Sequence, residues 1–143
     1  MISFNVKDVN MPELDFDKID VWLREVAVNY NKRIGNLNYL FCDDNEILRV
    51  NKEFLNHDYF TDIITFDYSR KDKVSGDIFI SIDTVKSNSR ELEVTYYSEL
   101  LRVIAHGLLH LCGIDDKGPG EREIMEENEN KALDLWRNHF SEF

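Results

Sequence analysis

The sequence predicts an α+β fold, a small mixed sheet with helices packed on it, and three observations support that class. Apolar residues alternate with polar ones in several short runs, the period of half-buried strands. Elsewhere they recur at steps of three and four, the period of amphipathic helices. The two kinds of run follow one another without the strict alternation that builds a doubly wound parallel sheet. With 143 residues and 43% hydrophobic content, residues 1–143 are expected to form one domain whose core needs no disulfide staples.

Taken in order, Ile2, Phe4 and Val6 alternate as in a strand. Helical spacing follows at Ile19, Trp22, Leu23, Val26 and Tyr30, entered through Asp15 and Asp17, whose charges suit a helix N-terminus. Leu37 to Cys42 reads as a strand, and Asp43 with Glu46 resembles a capping box that opens a helix through Ile47, Leu48 and Val50. Asp62 to Tyr68 and Asp77 to Ile82 are two strand patterns joined by a polar loop containing glycine, which predicts a hairpin. Three helices close the chain. One spans Thr84 to Leu92, one spans Tyr96 to Cys112, and the last carries Ile124, Met125, Leu135 and Trp136.

The helix from Tyr96 to Cys112 carries the most informative residues. Leu101, Ile104, Leu108 and Leu111 form its core stripe, while His106 and His110 project from another side, four residues apart and one turn from each other. Gly113 ends the helix in the manner of a left-handed cap, and the Gly118-Pro119-Gly120 break turns the chain so that Asp116 can fold back toward the histidines. Two imidazoles and one carboxylate make a three-ligand set of the catalytic zinc type, with a fourth position left for water or substrate. His106, His110 and Asp116 are therefore the candidate ligands of one Zn2+ ion at the end of a buried helix, although iron and other first-row ions suit the same donors. Zinc peptidases place a glutamate beside the first histidine, and Gly107 occupies that position. This argues against peptidase chemistry of that type, and the general base stays unassigned.

The remaining chemistry-bearing residues have plainer expected roles. Cys112 groups with the core stripe and reads as a small buried hydrophobe. His57 and His139 stand alone, and Asp115 belongs to a polar turn. Asp62 and Asp77 suit either strand-end turns or hydrogen bonds to the metal histidines. Glu126, Glu127 and Glu129 are expected to form a solvated helix face.

Cys42 and Cys112 lie far apart with no Cys-x-x-Cys spacing, which points to reduced thiols in a cytoplasm. The N-terminus lacks the basic start and apolar stretch of a signal peptide, and no run reaches the roughly 18 apolar residues of a membrane span. A soluble cytoplasmic protein with no membrane partner is expected. A net charge of -11 argues against a nonspecific nucleic-acid binder, since such a surface repels a polyanion on average. The basic residues do gather locally: Arg70, Lys71 and Lys73 sit together, Lys86 and Arg90 share a helix face, and Arg102 falls on the histidine side.

Four blocks in the chain resemble those of a known family. His106-Gly-Leu-Leu-His110-Leu-Cys-Gly-Ile-Asp115 is similar to the His-Gly-x-Leu-His-Leu-x-Gly-Tyr-Asp-His signature of the YbeY family, zinc-dependent endoribonucleases linked to ribosomal RNA maturation. Leu48-x-x-Asn51 leading to Thr61-Asp62-Ile63-Ile64-Thr65-Phe66 resembles a second block, Gly76-Asp77-Ile78-Phe79-Ile80-Ser81 a third and Glu99-Leu100 a fourth, in family order over two thirds of the chain. The chain departs from the family pattern twice. Asp116 stands where the family has its third histidine ligand, and Leu55 stands where the family carries an arginine associated with RNA phosphate.

The resemblance implies a zinc-dependent, single-strand-specific endoribonuclease in ribosomal RNA processing and ribosome quality control. Its partners would be ribosomal RNA and ribosomal or assembly proteins. The alternative is a weakly catalytic or non-catalytic ribosome-assembly factor with a structural metal. Leu55 and the acidic surface favour the alternative, and an open three-ligand site favours the enzyme.

Overall fold

The computed structural model describes residues 1–57 and 61–141. Its elements are β1 (Ile2–Val6), α1 (Phe16–Val28), β2 (Arg33–Cys42), α2 (Asp44–Leu55), β3 (Ile63–Asp67), β4 (Lys73–Ser81), α3 (Ile82–Glu91), α4 (Tyr96–Leu111) and α5 (Glu121–Phe140). The four strands form one sheet in the order β1-β2-β4-β3. β1 and β4 run parallel to β2, while β3 pairs antiparallel with β4, so the sheet is mixed as expected.

Local chemistry sets most of the element boundaries. Asp15, Asp43, Ser81 and Thr95 each accept a backbone N–H in the first turn of the following helix, which fixes the starts of α1, α2, α3 and α4. Only half of the expected capping box forms. Asp43 takes the Glu46 N–H at 2.9 Å, but the Glu46 carboxylate turns to Arg49 and Lys7.

The sheet is longer than the sequence pattern suggested. β2 begins at Arg33 rather than Leu37, and β4 at Lys73 rather than Asp77, because each supplies the other's parallel partner through Arg33↔Lys73 and Ile34↔Val74. The glycine expected in the hairpin loop, Gly76, lies within β4. A Cβ there would sit 2.5 Å from the Phe66 carbonyl oxygen of the neighbouring strand, so only glycine allows this pairing distance. α3 likewise begins two residues early, directly after Ser81.

One face of the sheet is buried along its length and the other only at the end that α2 covers. Leu37, Tyr39, Phe41, Ile78 and Ile80 point into the main core with α1, α4 and α5, while α2 covers the other face through Cys42, Ile47, Val50 and Ile64. Two buried hydrogen bonds tie the layers together: Tyr39 Oη donates to the Ile104 carbonyl and Trp22 Nε1 to the Ala132 carbonyl, both at 2.8 Å. α4 lies against β3 and β4. A Cβ on Gly107 would meet Ile78 Cδ1 at 2.9 Å and Ile63 Cδ1 at 3.1 Å, so the glycine between the histidines permits a close approach of helix and sheet.

Candidate functional site

α4 is buried along most of its length and delivers His106 and His110 to one wall of a cavity of about 1100 Å³. The ends of α2 and α3, the edge strand β3 and helix α5 form the remaining walls. Both histidines are half-buried, off the core stripe as expected.

The helix ends where the sequence indicated. Gly113 takes φ +102, its N–H donates to the His110 carbonyl at 3.0 Å, and the Ile114 N–H donates to the Leu109 carbonyl at 3.1 Å. The chain then bends back, and Asp116 Oδ2 comes within 3.3 Å of His106 Nε2. This pair is the part of the predicted trio that the fold brings together. His110 lines the same cavity one turn along, but its side chain has no hydrogen bond or ion pair among the described residues. Nor do three His, Cys, Asp or Glu side chains converge there into a ready-made metal cluster, among the described residues.

Glu129 corrects the sequence reading. It was expected on a solvated face with Glu126 and Glu127, but it is only 3% exposed, and its Oε2 lies 2.7 Å from His106 Nδ1. Its other oxygen, Oε1, accepts from Arg102 Nη1 at 2.6 Å, and the same guanidinium donates through Nε to buried Glu99 Oε1 at 2.8 Å. A signal for this was present in the sequence: Glu129 sits four residues after Met125 and seven before Trp136, in the buried stripe of α5. Asp77 does not reach the histidines. Its carboxylate accepts from Asn38 on the neighbouring strand at 3.0 Å. Asp62 lines the cavity and acts on His106 through its charge.

Electrostatics at the site favour a cation. Burial disfavours the charged imidazolium of His106, but the Glu129 hydrogen bond and charge, with Asp116 and Asp62, outweigh burial and raise its pKa above the ordinary value. Burial likewise works against an ionised Glu129, yet His106 and Arg102 hold its pKa below the ordinary value. Glu99 and Glu129 together carry one negative charge more than Arg102 offsets, and Asp116 adds another beside the ring. Burial pushes the Cys112 thiol up to about 11 and the Cys42 thiol up to about 12, so neither offers a ready thiolate ligand at neutral pH.

The donor set fits a metal in two respects. Tetrahedral coordination with arms of about 2.0–2.1 Å separates neighbouring donors by about 3.3–3.4 Å, and His106 Nε2 and Asp116 Oδ2 are 3.3 Å apart. A carboxylate on the far ring nitrogen, as Glu129 provides, is the usual support of a metal-binding histidine.

Fold and site together define a small α+β protein with a histidine–carboxylate centre on a buried helix, open to a cavity. A family model described as endoribonuclease YbeY matches residues 2–137, and the chain belongs to that family. It is 58% identical over 135 residues to the endoribonuclease YbeY of Phocaeicola vulgatus, covering 94% of this chain and 98% of that protein. It is 54% identical over 132 residues to the protein of the same name from Bacteroides thetaiotaomicron, covering 92% and 96% respectively. The solution structure of TM1509 from Thermotoga maritima superposes with a TM-score of 0.71 at 27% identity, covering 98% of this chain and 91% of that one. Among the described residues no helix is long and apolar enough to cross a membrane.

Proposed function

We propose that this protein is a metal-dependent endoribonuclease that hydrolyses phosphodiester bonds in single-stranded RNA, with ribosomal RNA as its substrate during maturation and ribosome quality control. The observation that carries the reading is the His106–Asp116 pair at 3.3 Å, with the second ring nitrogen of His106 held by buried Glu129 and the pair facing an open cavity. The names of the relatives support the same activity.

In this reading His106 Nε2, Asp116 Oδ2 and a nitrogen of His110 hold one ion, with Zn2+ the first choice. When bound, such an ion supplies polarisation of a phosphoryl oxygen and acidification of water. The chain's own residues do the positioning. Glu129 accepts a hydrogen bond from the Nδ1–H of His106, which fixes the tautomer and leaves the Nε2 lone pair free for a ligand. Arg102, clamped between Glu99 and Glu129, keeps that carboxylate in place. Asp116 would offset part of the charge of a bound ion, which would make the acidification it supplies weaker than at a three-histidine site.

A second reading is a non-catalytic ribosome-assembly factor with a structural ion. Leu55, 36% exposed on the cavity wall, offers phosphate no donor, and the net charge of -11 repels RNA, which favours this alternative. Cleavage of a labelled single-stranded RNA by metal-loaded wild type and by His110→Ala separates the two. The enzyme reading expects cutting that the substitution abolishes while the fold is kept. Equal trace cleavage by both proteins would leave the binding reading standing.

A further inference from the structure

An acidic chain that handles a polyanion must meet it on cations, and few of those facing the cavity are available. Arg102 is consumed by Glu99 and Glu129. Arg137 holds Asp134 at 3.1 Å. Leu55, on the α2 side, is apolar. Lys117 and Arg122 also line the cavity; both are exposed, and neither side chain has an ion pair or hydrogen bond among the described residues. Even Glu126, one helical turn past Arg122 and lining the same cavity, does not pair with it.

The backbone fixes where these two cations start. Gly118 N–H donates to Glu121 Oε2 at 3.2 Å and Glu121 N–H returns to the Gly118 carbonyl at 3.1 Å, closing a tight turn between Asp116 and α5. Lys117 and Arg122 leave the chain at the two ends of that turn, and Lys117 directly follows Asp116, which reaches His106. Two cations with unpaired side chains at a hydrogen-bonded turn beside the reactive centre are suited to an anion that bridges them. The repeating anion of the substrate's backbone has that character.

We propose that Lys117 and Arg122 form a two-point clamp for RNA phosphate next to the scissile bond, in the cavity that Leu55 also lines. The clamp rests on the endoribonuclease reading above. It assigns substrate positioning to the turn between α4 and α5. The clamp residues act on binding, so their loss raises KM and leaves kcat nearly unchanged.

The test is fluorescence anisotropy of a labelled, cleavage-resistant 2′-O-methyl single-stranded RNA across a salt series, alongside cleavage of the unmodified strand. It compares wild type with Lys117→Gln/Arg122→Gln, with the charge-conserving Lys117→Arg/Arg122→Lys, and with Lys71→Gln/Lys73→Gln on the distant hairpin. Losing two phosphate contacts should make the slope of log affinity against log salt shallower by about 1.4, with on the order of tenfold weaker binding at low salt. The charge-conserving and hairpin variants should keep the wild-type slope. If the glutamine pair at 117 and 122 keeps that slope while wild type binds and cuts RNA, the clamp is wrong and the endoribonuclease reading survives. An equal loss in the hairpin variant would also overturn the clamp, because general charge would then account for the effect. Wild type that neither binds nor cuts the strand removes both.

Discussion

Glu129 and His106, 23 residues apart and on different helices, meet at 2.7 Å through Oε2 and Nδ1, and Arg102 holds the other oxygen of the same carboxylate. The contact makes α5 part of the site, although the α5 residue that makes it belongs to the helix's buried stripe. It also leaves His106 Nε2 to face Asp116.

Replacing that carboxylate by its amide tests the arrangement. Glu129→Gln keeps the volume but removes the charge that orients His106, and loss of such support typically costs about 10–100-fold in metal affinity. Competition against a chromophoric chelator measures it, with Zn2+ as the probe. Unchanged affinity would show that His106 needs no carboxylate behind it. A lower melting temperature is expected as well, because Arg102 is left half-paired beside Glu99.

Removing the carboxylate on the open side should act on the ion with little effect on the fold. Asp116 is partly exposed, so on the alkaline side, where His106 is neutral, Asp116→Ala should keep the melting temperature of the metal-free protein while weakening metal retention. Equilibrium dialysis followed by metal analysis reads the second quantity. Full retention would exclude Asp116 as a ligand.

The pH dependence should have opposite signs with and without metal. In the metal-free protein His106 titrates above its ordinary value of about 6.5, because the Glu129 and Asp116 charges outweigh burial. Its protonation therefore stabilises the fold fully below that ordinary value, and the contribution fades as pH rises through the raised folded value. Melting curves of wild type and His106→Gln should diverge on the acid side and converge on the alkaline side. Metal retention should run the other way, since a proton on Nε2 displaces the ion as pH falls. Parallel melting curves at every pH would refute the proton's role.

Gly107 tests the approach of helix to sheet. Alanine would gain about 1 kcal/mol of helix propensity. Its Cβ, however, would press on Ile78 and Ile63 at 2.9 and 3.1 Å, and overpacking of that kind costs about 1–3 kcal/mol. A net loss of about 1 kcal/mol in urea unfolding is expected for Gly107→Ala, with reduced RNA cleavage because both histidines shift with the helix. A more stable variant would show that the sheet yields at no cost.

Much of this molecule could be read from neighbouring residues. The period of α4, the caps at Asp15 and Asp43, the stop at Gly113 and the return of Asp116 all follow from local features of the chain, so the sequence alone determined the elements and the pairing of His106 with Asp116. Tertiary structure decided what those residues meet. The extra length of β2 and β4 exists because each strand supplies the other's hydrogen bonds, and Gly76 and Gly107 are glycines because another strand and the sheet approach them. Glu129 is the clearest case. By composition it belongs with its acidic neighbours, but packing α5 on α4 places it between His106 and Arg102, where opposite charges compensate the loss of water. Local spacing carries no information about such a partner, because the stabilising charge lies across a helix interface and not along the chain.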